Sequence, residues 1–187
     1  MSLLGFIEKS WYLFHRRADV IALLRERLEK RGPLKDVLDL GGGTGRVPVA
    51  LAPALGGAWT VADIDGEALA SVPTREPFRT VVLEPGKPLP FPDASFDAVL
   101  LVDVLHHVHD QEPFLREARR CLRRPGVLLI VDFDASQGLT RFLSFLAPRR
   151  CLFNKPEDLR IRLEGLGLRV SAAAIDSERY LAEGDSL

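Results

Sequence analysis

The sequence predicts an α/β fold: a mostly parallel sheet with helices on both faces. Three observations carry that reading. From residue 36 onward, short apolar runs alternate with helix-capable stretches. The runs are apolar throughout rather than at every second position, as strands buried on both faces should be. The first run ends in a glycine-rich turn that leads directly into a helix.

Taken in order, strands are expected at 36–40, 58–63, 79–83, 97–103 and 127–132, with helices at 45–55, 66–71 and 112–124. Pro48 falls in the first helical turn, where the ring is tolerated, and Pro53 is expected to end or bend the same helix. A proline-rich loop, 85–92, takes the place of a helix between strands three and four. Upstream, Ile7, Trp11, Phe14, Ile21, Leu24 and Leu28 recur at helical spacing and stop at Gly32-Pro33. Downstream, 139–147 and 156–166 read as short helices, the second capped by Asn154 with Pro156 in its first turn. Residues 168–174 and 178–182 read as a closing antiparallel pair.

Bulk properties narrow the classes. A chain of 187 residues suits one domain, and its 47% hydrophobic and 27% charged content is that of a globular protein with a full core. The net charge of −1 argues against a dedicated nucleic-acid surface. Cys121 and Cys151 form no C-x-x-C pair and are expected to be reduced, buried thiols, with no metal site. His106, His107 and His109 lack a complete ligand set nearby. No unbroken apolar segment is long enough to span a bilayer, and Glu8 and Lys9 interrupt any signal-peptide core, so a cytoplasmic location is expected.

The turn itself is the most informative segment. Residues 37–46 read Val-Leu-Asp-Leu-Gly-Gly-Gly-Thr-Gly-Arg. A Walker loop fails because Arg46 and Val47 stand where Lys and Ser/Thr are needed. A dinucleotide fingerprint fails because Arg46 takes the place of its third small residue. What remains is an acid, Asp39, two residues before the alternating glycines Gly41, Gly43 and Gly45. A carboxylate beside the loop repels a pyrophosphate and attracts an ammonium or sulfonium. The ligand implied is a nucleoside with a cationic tail.

At this point the chain resembles the class I S-adenosylmethionine-dependent methyltransferases, in particular their type 11 methyltransferase-domain branch. Beside the glycine turn, residues 89–99 (LPFPDASFDAV), 104–108 (VLHHV) and 122–126 (LRRPG) are similar to that branch's segments, in the same order. The resemblance covers 35–135 and implies a Rossmann-like sheet of seven strands, the last antiparallel. It divides a single domain into an N-terminal helical cover (1–33), a cofactor-binding core (34–135) and substrate-side helices with closing strands (136–187).

The resemblance also implies S-adenosylmethionine as cofactor, with S-adenosylhomocysteine as product. Gly41, Gly42 and Gly43 would admit its tail and Asp39 would face its ammonium. Asp63, at the end of strand two, would take the ribose hydroxyls, and Ile64 would lie on the adenine face. Val102 belongs to the same rim, at the end of strand four. Relatives end strand three with an Asp for the adenine amine. Pro85 stands there instead, and Glu84, one residue earlier, is the available acceptor. Without it, affinity should fall by on the order of 1 kcal/mol.

The expected reaction is methyl transfer to a small molecule, hydrophobic or anionic. Candidate bases are His106 and His107 with Asp103 just before them, although both histidines also read as packing residues of a helix start. Helix 6–31 is either a cover on the sheet or a lid over the substrate. Segment 135–155, with Phe142, Phe145 and Phe153 among Arg141, Arg149 and Arg150, is either a basic-rimmed pocket or a cover. Two other readings stay open: a non-catalytic S-adenosylmethionine-binding regulatory module, and a methyltransferase of RNA or protein. The oligomeric state is open as well.

Overall fold

A computed structural model of the chain describes residues 17–137, 140, 152–175 and 179–186. Its elements are α1 (Arg17–Glu29), β1 (Asp36–Leu40), α2 (Arg46–Leu55), β2 (Ala58–Asp63), α3 (Gly66–Leu69), β3 (Phe78–Val82), β4 (Phe96–Val102), α4 (Gln111–Cys121), β5 (Leu122–Phe133), α5 (Pro156–Gly165), β6 (Arg169–Ala174) and β7 (Arg179–Ser186). They form one seven-stranded sheet in the order β3-β2-β1-β4-β5-β7-β6. β7 runs antiparallel to both of its neighbours, and the strands from β3 to β5 are parallel. Strand order reverses between β1 and β4, which opens a crevice at their carboxyl ends.

Strand alternation sorts the core into two layers. Leu38, Val99, Leu101, Leu128 and Ile130 point to the face covered by Leu115 and Ala118 of α4 and by Leu159 and Leu163 of α5. Val37, Leu100, Leu129 and Val131 point to the other, with Leu24 and Leu28 of α1, Leu51 of α2 and Trp59. Val20, Leu24 and Leu28, each four residues apart, give α1 one buried stripe. Glu183 of β7 fixes the same helix to the sheet, accepting from Arg27 Nη1 at 3.1 Å and from Arg31, while Arg31 also pairs with Asp185 at 2.5 Å.

Several expectations are revised. α2 keeps the expected span, ending at Leu55 two residues after Pro53, with Gly56 as its C-cap. The helix expected at 112–124 ends at Cys121, and residues 122–126 belong to β5: Phe96 pairs with Leu122 and Ala98 with Val127, so the extra residues bulge within the pairing. β3 and β4 each begin one residue earlier than expected. Asn154 does not cap α5, whose cap position is Lys155. Instead Asn154 Oδ1 accepts from Arg162 Nη1 at 2.9 Å. The helix expected at 139–147, the N-terminal positions Ile7, Trp11 and Phe14, and Cys151 lie outside the described residues. Cys121 is a free, buried thiol, raised to about 11 by burial first, with Arg120 opposing.

Candidate functional site

β1 delivers its carboxyl end into the crevice, and the glycine turn starts there. Gly41 and Gly42 both donate to Ala62 O, at 2.6 and 3.3 Å, which ties the turn to β2. Gly41 has φ +79 and Gly43 φ +52, the left-handed region that glycine occupies without strain. A Cβ on Gly41 would stand 2.5 Å from both methyls of Val104, and one on Gly42 2.5 Å from Asp39 Oδ2. At Gly43 the nearest atom would be Asp63 Oδ2 at 3.9 Å, so that side of the turn is open.

Two carboxylates flank the turn and differ in kind. Asp39 is 2% exposed and its Oδ2 is shielded with no hydrogen-bond partner. Burial, followed by the nearby Asp63, raises its pKa to about 7. Asp63 is half-buried at the end of β2. Its Oδ2 accepts from Gly43 N at 2.8 Å and its Oδ1 from Asp65 N at 2.9 Å. Beyond it Ile64 is 62% exposed and Val82 61% exposed, an apolar shelf at the ends of β2 and β3. Glu84 and Pro85 are both exposed beside that shelf.

Across the crevice β4 ends at the half-buried Val102. Asp103 follows with φ +58, an unusual backbone for a residue bearing a Cβ, and its N–H donates to Val131 O at 2.9 Å. A 3₁₀ turn, Leu105–His107, comes next. His106 is buried, and its Nδ1 lies 2.6 Å from Asp132 Oδ1. Asp132 also accepts from His106 N at 3.0 Å and Phe133 N at 2.8 Å. A carboxylate gathering this many donors assigns Nδ1–H as the donor of that imidazole. The ring stacks on Phe153 with centroids 5.1 Å apart and meets Phe133 edge-on at 5.4 Å. His107 keeps solvent access, its ring centroid 4.0 Å from that of His106. Its partial burial, then the charge of His106, hold its pKa below the usual 6.5, with Asp132 opposing.

With this geometry in view, the comparisons with known proteins are specific. The family described as "Methyltransferase domain" matches residues 38–130. A probable S-adenosylmethionine-dependent methyltransferase of Mycobacterium tuberculosis is 34% identical over 124 residues, 66% of this chain and 43% of that protein. A demethylmenaquinone methyltransferase of Corynebacterium efficiens is 40% identical over 111 residues, 59% and 46% of the two chains. The crystal structure of an S-adenosylmethionine-dependent methyltransferase from Archaeoglobus fulgidus shares the fold, with TM-score 0.76, 17% identity, and coverage of 99% of this chain and 100% of that one.

The chain belongs to the class I S-adenosylmethionine-dependent methyltransferases.

It spans less than half the length of the two relatives named by sequence, 43% and 46%. The turn fits the methyltransferase cofactor, S-adenosylmethionine: a carboxylate oxygen without a partner stands behind it, and a cationic tail is the chemistry that such an oxygen lacks. Among the described residues, no group of three potential ligands is placed to hold a metal ion, and no helix is long and apolar enough to cross a membrane.

Sequence reasoning overlooked the residues that hold this candidate site in shape. Asp132 had a signal, being an acid that closes an otherwise apolar run, but its partner lies 26 residues away. Gln111 Nε2 donates to Leu105 O and Leu152 O, both at 2.9 Å, tying segment 152–154 to the histidine turn. Arg120 donates to Leu89 O, Phe91 O and Asp93 Oδ1, and Glu117 accepts from Leu89 N, so α4 pins the loop that follows Pro85. Nothing in the sequence distinguishes Gln111 or Arg120 from surface residues.

Proposed function

We propose that the chain catalyses methyl transfer from S-adenosylmethionine to a small, largely apolar ring compound that carries oxygen, of the phenol or quinol type. The observation that carries the donor half is the partnerless Asp39 Oδ2 behind a left-handed glycine turn. The acceptor half is supported by the aromatic groups His106, Phe133 and Phe153 gathered at the end of β5. The quinone chemistry in the name of the Corynebacterium relative supports it too.

In this reading Asp39 balances the ammonium, and Gly41, Gly42 and Gly43 let the backbone close on the tail. Asp63 spends one lone pair of each oxygen on a backbone amide and offers the others to the ribose hydroxyls. Ile64 lies under the adenine, Glu84 takes its amine, and Val102 borders it from β4. When bound, S-adenosylmethionine supplies a methyl group already activated by its positive sulfur. The chain's own residues align the acceptor and remove its proton. His107, neutral at pH 7, takes that proton. His106, locked by Asp132, positions the turn, and Asp103 serves through its left-handed backbone, which directs the chain from β4 toward the histidines.

Two measurements test the reading. Calorimetry with S-adenosylmethionine and S-adenosylhomocysteine should give micromolar affinity, about −8 kcal/mol. Labelled methyl donor should pass to 1,4-naphthoquinol or to the small-molecule fraction of a cell extract. Binding with no transfer to any fraction would identify a non-catalytic module, and label in RNA or protein a macromolecular acceptor.

A further inference from the structure

The peptide that joins His106 to His107 is held at both of its ends. Its carbonyl, His106 O, accepts from Leu152 N at 2.7 Å, and its N–H, on His107, donates to Val104 O at 2.9 Å. A peptide unit is planar, so the two bonds fix the plane from which the His107 side chain departs. On one side of this clamp Val104 packs directly on the cofactor turn, since a Cβ on Gly41 would stand 2.5 Å from both of its methyls. On the other side stands Gln111, the first residue of α4, 8% exposed.

Gln111 closes the clamp. Its Nε2 donates to Leu105 O and to Leu152 O, each at 2.9 Å. Its Oε1 accepts from Arg162 Nη1 at 2.9 Å, and the same nitrogen donates to Asn154 Oδ1 at 2.9 Å. This fixes the orientation of the amide. Arginine only donates and the two carbonyls only accept, so a flipped amide would set like against like at all three contacts. The result is a ring of bonds from Leu105 O through Gln111 to Leu152, and from Leu152 N back to His106 O. A 3₁₀ turn of three residues is weak support by itself. The Gln111 amide braces it from α4, α5 and segment 152–154 at the point where His107 leaves it.

We infer that Gln111 is a positioning residue for methyl transfer: through Leu152 and the 106–107 peptide it holds the His107 imidazole in register with the cofactor turn. This rests on the reading that His107 takes the acceptor's proton. Such a group must be aligned to act, and a misplacement of about 1 Å can cost about 10²-fold in rate.

The test is Gln111→Met, which keeps the length of the side chain and removes the amide, made alone and together with His107→Gln. The probes are S-adenosylhomocysteine and dithionite-generated 1,4-naphthoquinol at saturating methyl donor. Expected for Gln111→Met are S-adenosylhomocysteine affinity within about twofold of wild type and kcat lowered about tenfold at little-changed KM. In the His107→Gln background the same change should lower kcat by less than about twofold, because the group it aligns is already gone. A second readout needs no turnover. Burial, then His106, hold the His107 pKa below 6.5 against Asp132, so loosening the clamp should move its NMR titration midpoint up toward 6.5. If Gln111→Met loses cooperative unfolding, Arg162→Met, which frees the Gln111 carbonyl from a half-buried site on α5, takes its place with the same expectations in smaller measure. Equal falls of kcat in both backgrounds would mean that Gln111 serves the fold alone, and unaltered kcat with an unmoved midpoint would also overturn the inference. Wild-type kcat in His107→Gln would remove the proton-accepting role and this inference with it. A wild type that binds S-adenosylhomocysteine but does not methylate 1,4-naphthoquinol would remove the quinol reading alone; the His107 midpoint would then decide, its rise supporting the clamp and its constancy refuting it.

Discussion

Asp63 holds the glycine turn and the end of β2 together while keeping acceptor capacity in reserve. Asp63→Ala should weaken S-adenosylmethionine at least about tenfold, because a charge-assisted hydrogen bond contributes about 1.5–3 kcal/mol. An unchanged Kd by calorimetry would move the ribose elsewhere. Asp39 behaves differently. Its pKa of about 7 means that it is largely protonated in the free protein at pH 5.5. A cationic ligand selects the charged form, so binding releases a proton and tightens as pH rises. Between pH 5.5 and 7 the affinity for S-adenosylhomocysteine should rise about tenfold, and Asp39→Asn should flatten that slope. His107 supplies a separate limb. With its pKa held below 6.5, the imidazole is neutral at pH 7, and if it takes the acceptor's proton as proposed, activity should be lost as pH falls through a lower midpoint. At saturating methyl donor, His107→Gln should abolish the limb and lower kcat by about 10²-fold.

At the scale of elements, the ends of strands are where local signals and packing disagree. Leu24 is fully buried on the stripe of α1 that meets the sheet. Leu24→Ala should cost about 2–5 kcal/mol in denaturant unfolding, through lost transfer energy and the cavity left behind. Glu183 joins the same helix to β7 by two arginines. Both arginine side chains are about a third exposed, at 29% and 30%, and can turn to water, so Glu183→Ala should cost only about 2 kcal/mol. Asn154 shows the limit of a local rule. It stands where a helix cap is expected, but Arg162 draws its side chain away. The bulge at 122–126 is a second case: a Pro-Gly pair reads as a turn, and the β4 edge keeps the flanking residues in the sheet.

For the whole molecule, binding and folding are one equilibrium. S-adenosylmethionine at a hundred times its Kd should add about 2.7 kcal/mol of stability. For a chain of this size that is a rise of about 5–10 °C in melting temperature, readable by calorimetry. The free protein carries the opposite pH dependence to the complex. Asp39's folded pKa lies above the usual 3.8, so its contribution is present below that value and is lost as pH rises toward 7. The site therefore holds a destabilised carboxylate, which the proposed cationic ligand should relieve.

Alternating apolar runs and helical stretches determined the sheet, its parallel core and the closing antiparallel strand, because strand burial and turn chemistry are local properties of short segments. The glycine turn with Asp39, and the acid that closes β2, were legible for the same reason: close backbone approach and a strand end leave marks on neighbouring residues. Only the tertiary structure decided the rest. It brought Asp132 onto His106, Gln111 across to Leu152, and Arg120 under the loop after Pro85. These pairings depend on which strands become neighbours, and that order arises from packing the two apolar layers together, over sequence separations that no short pattern encodes.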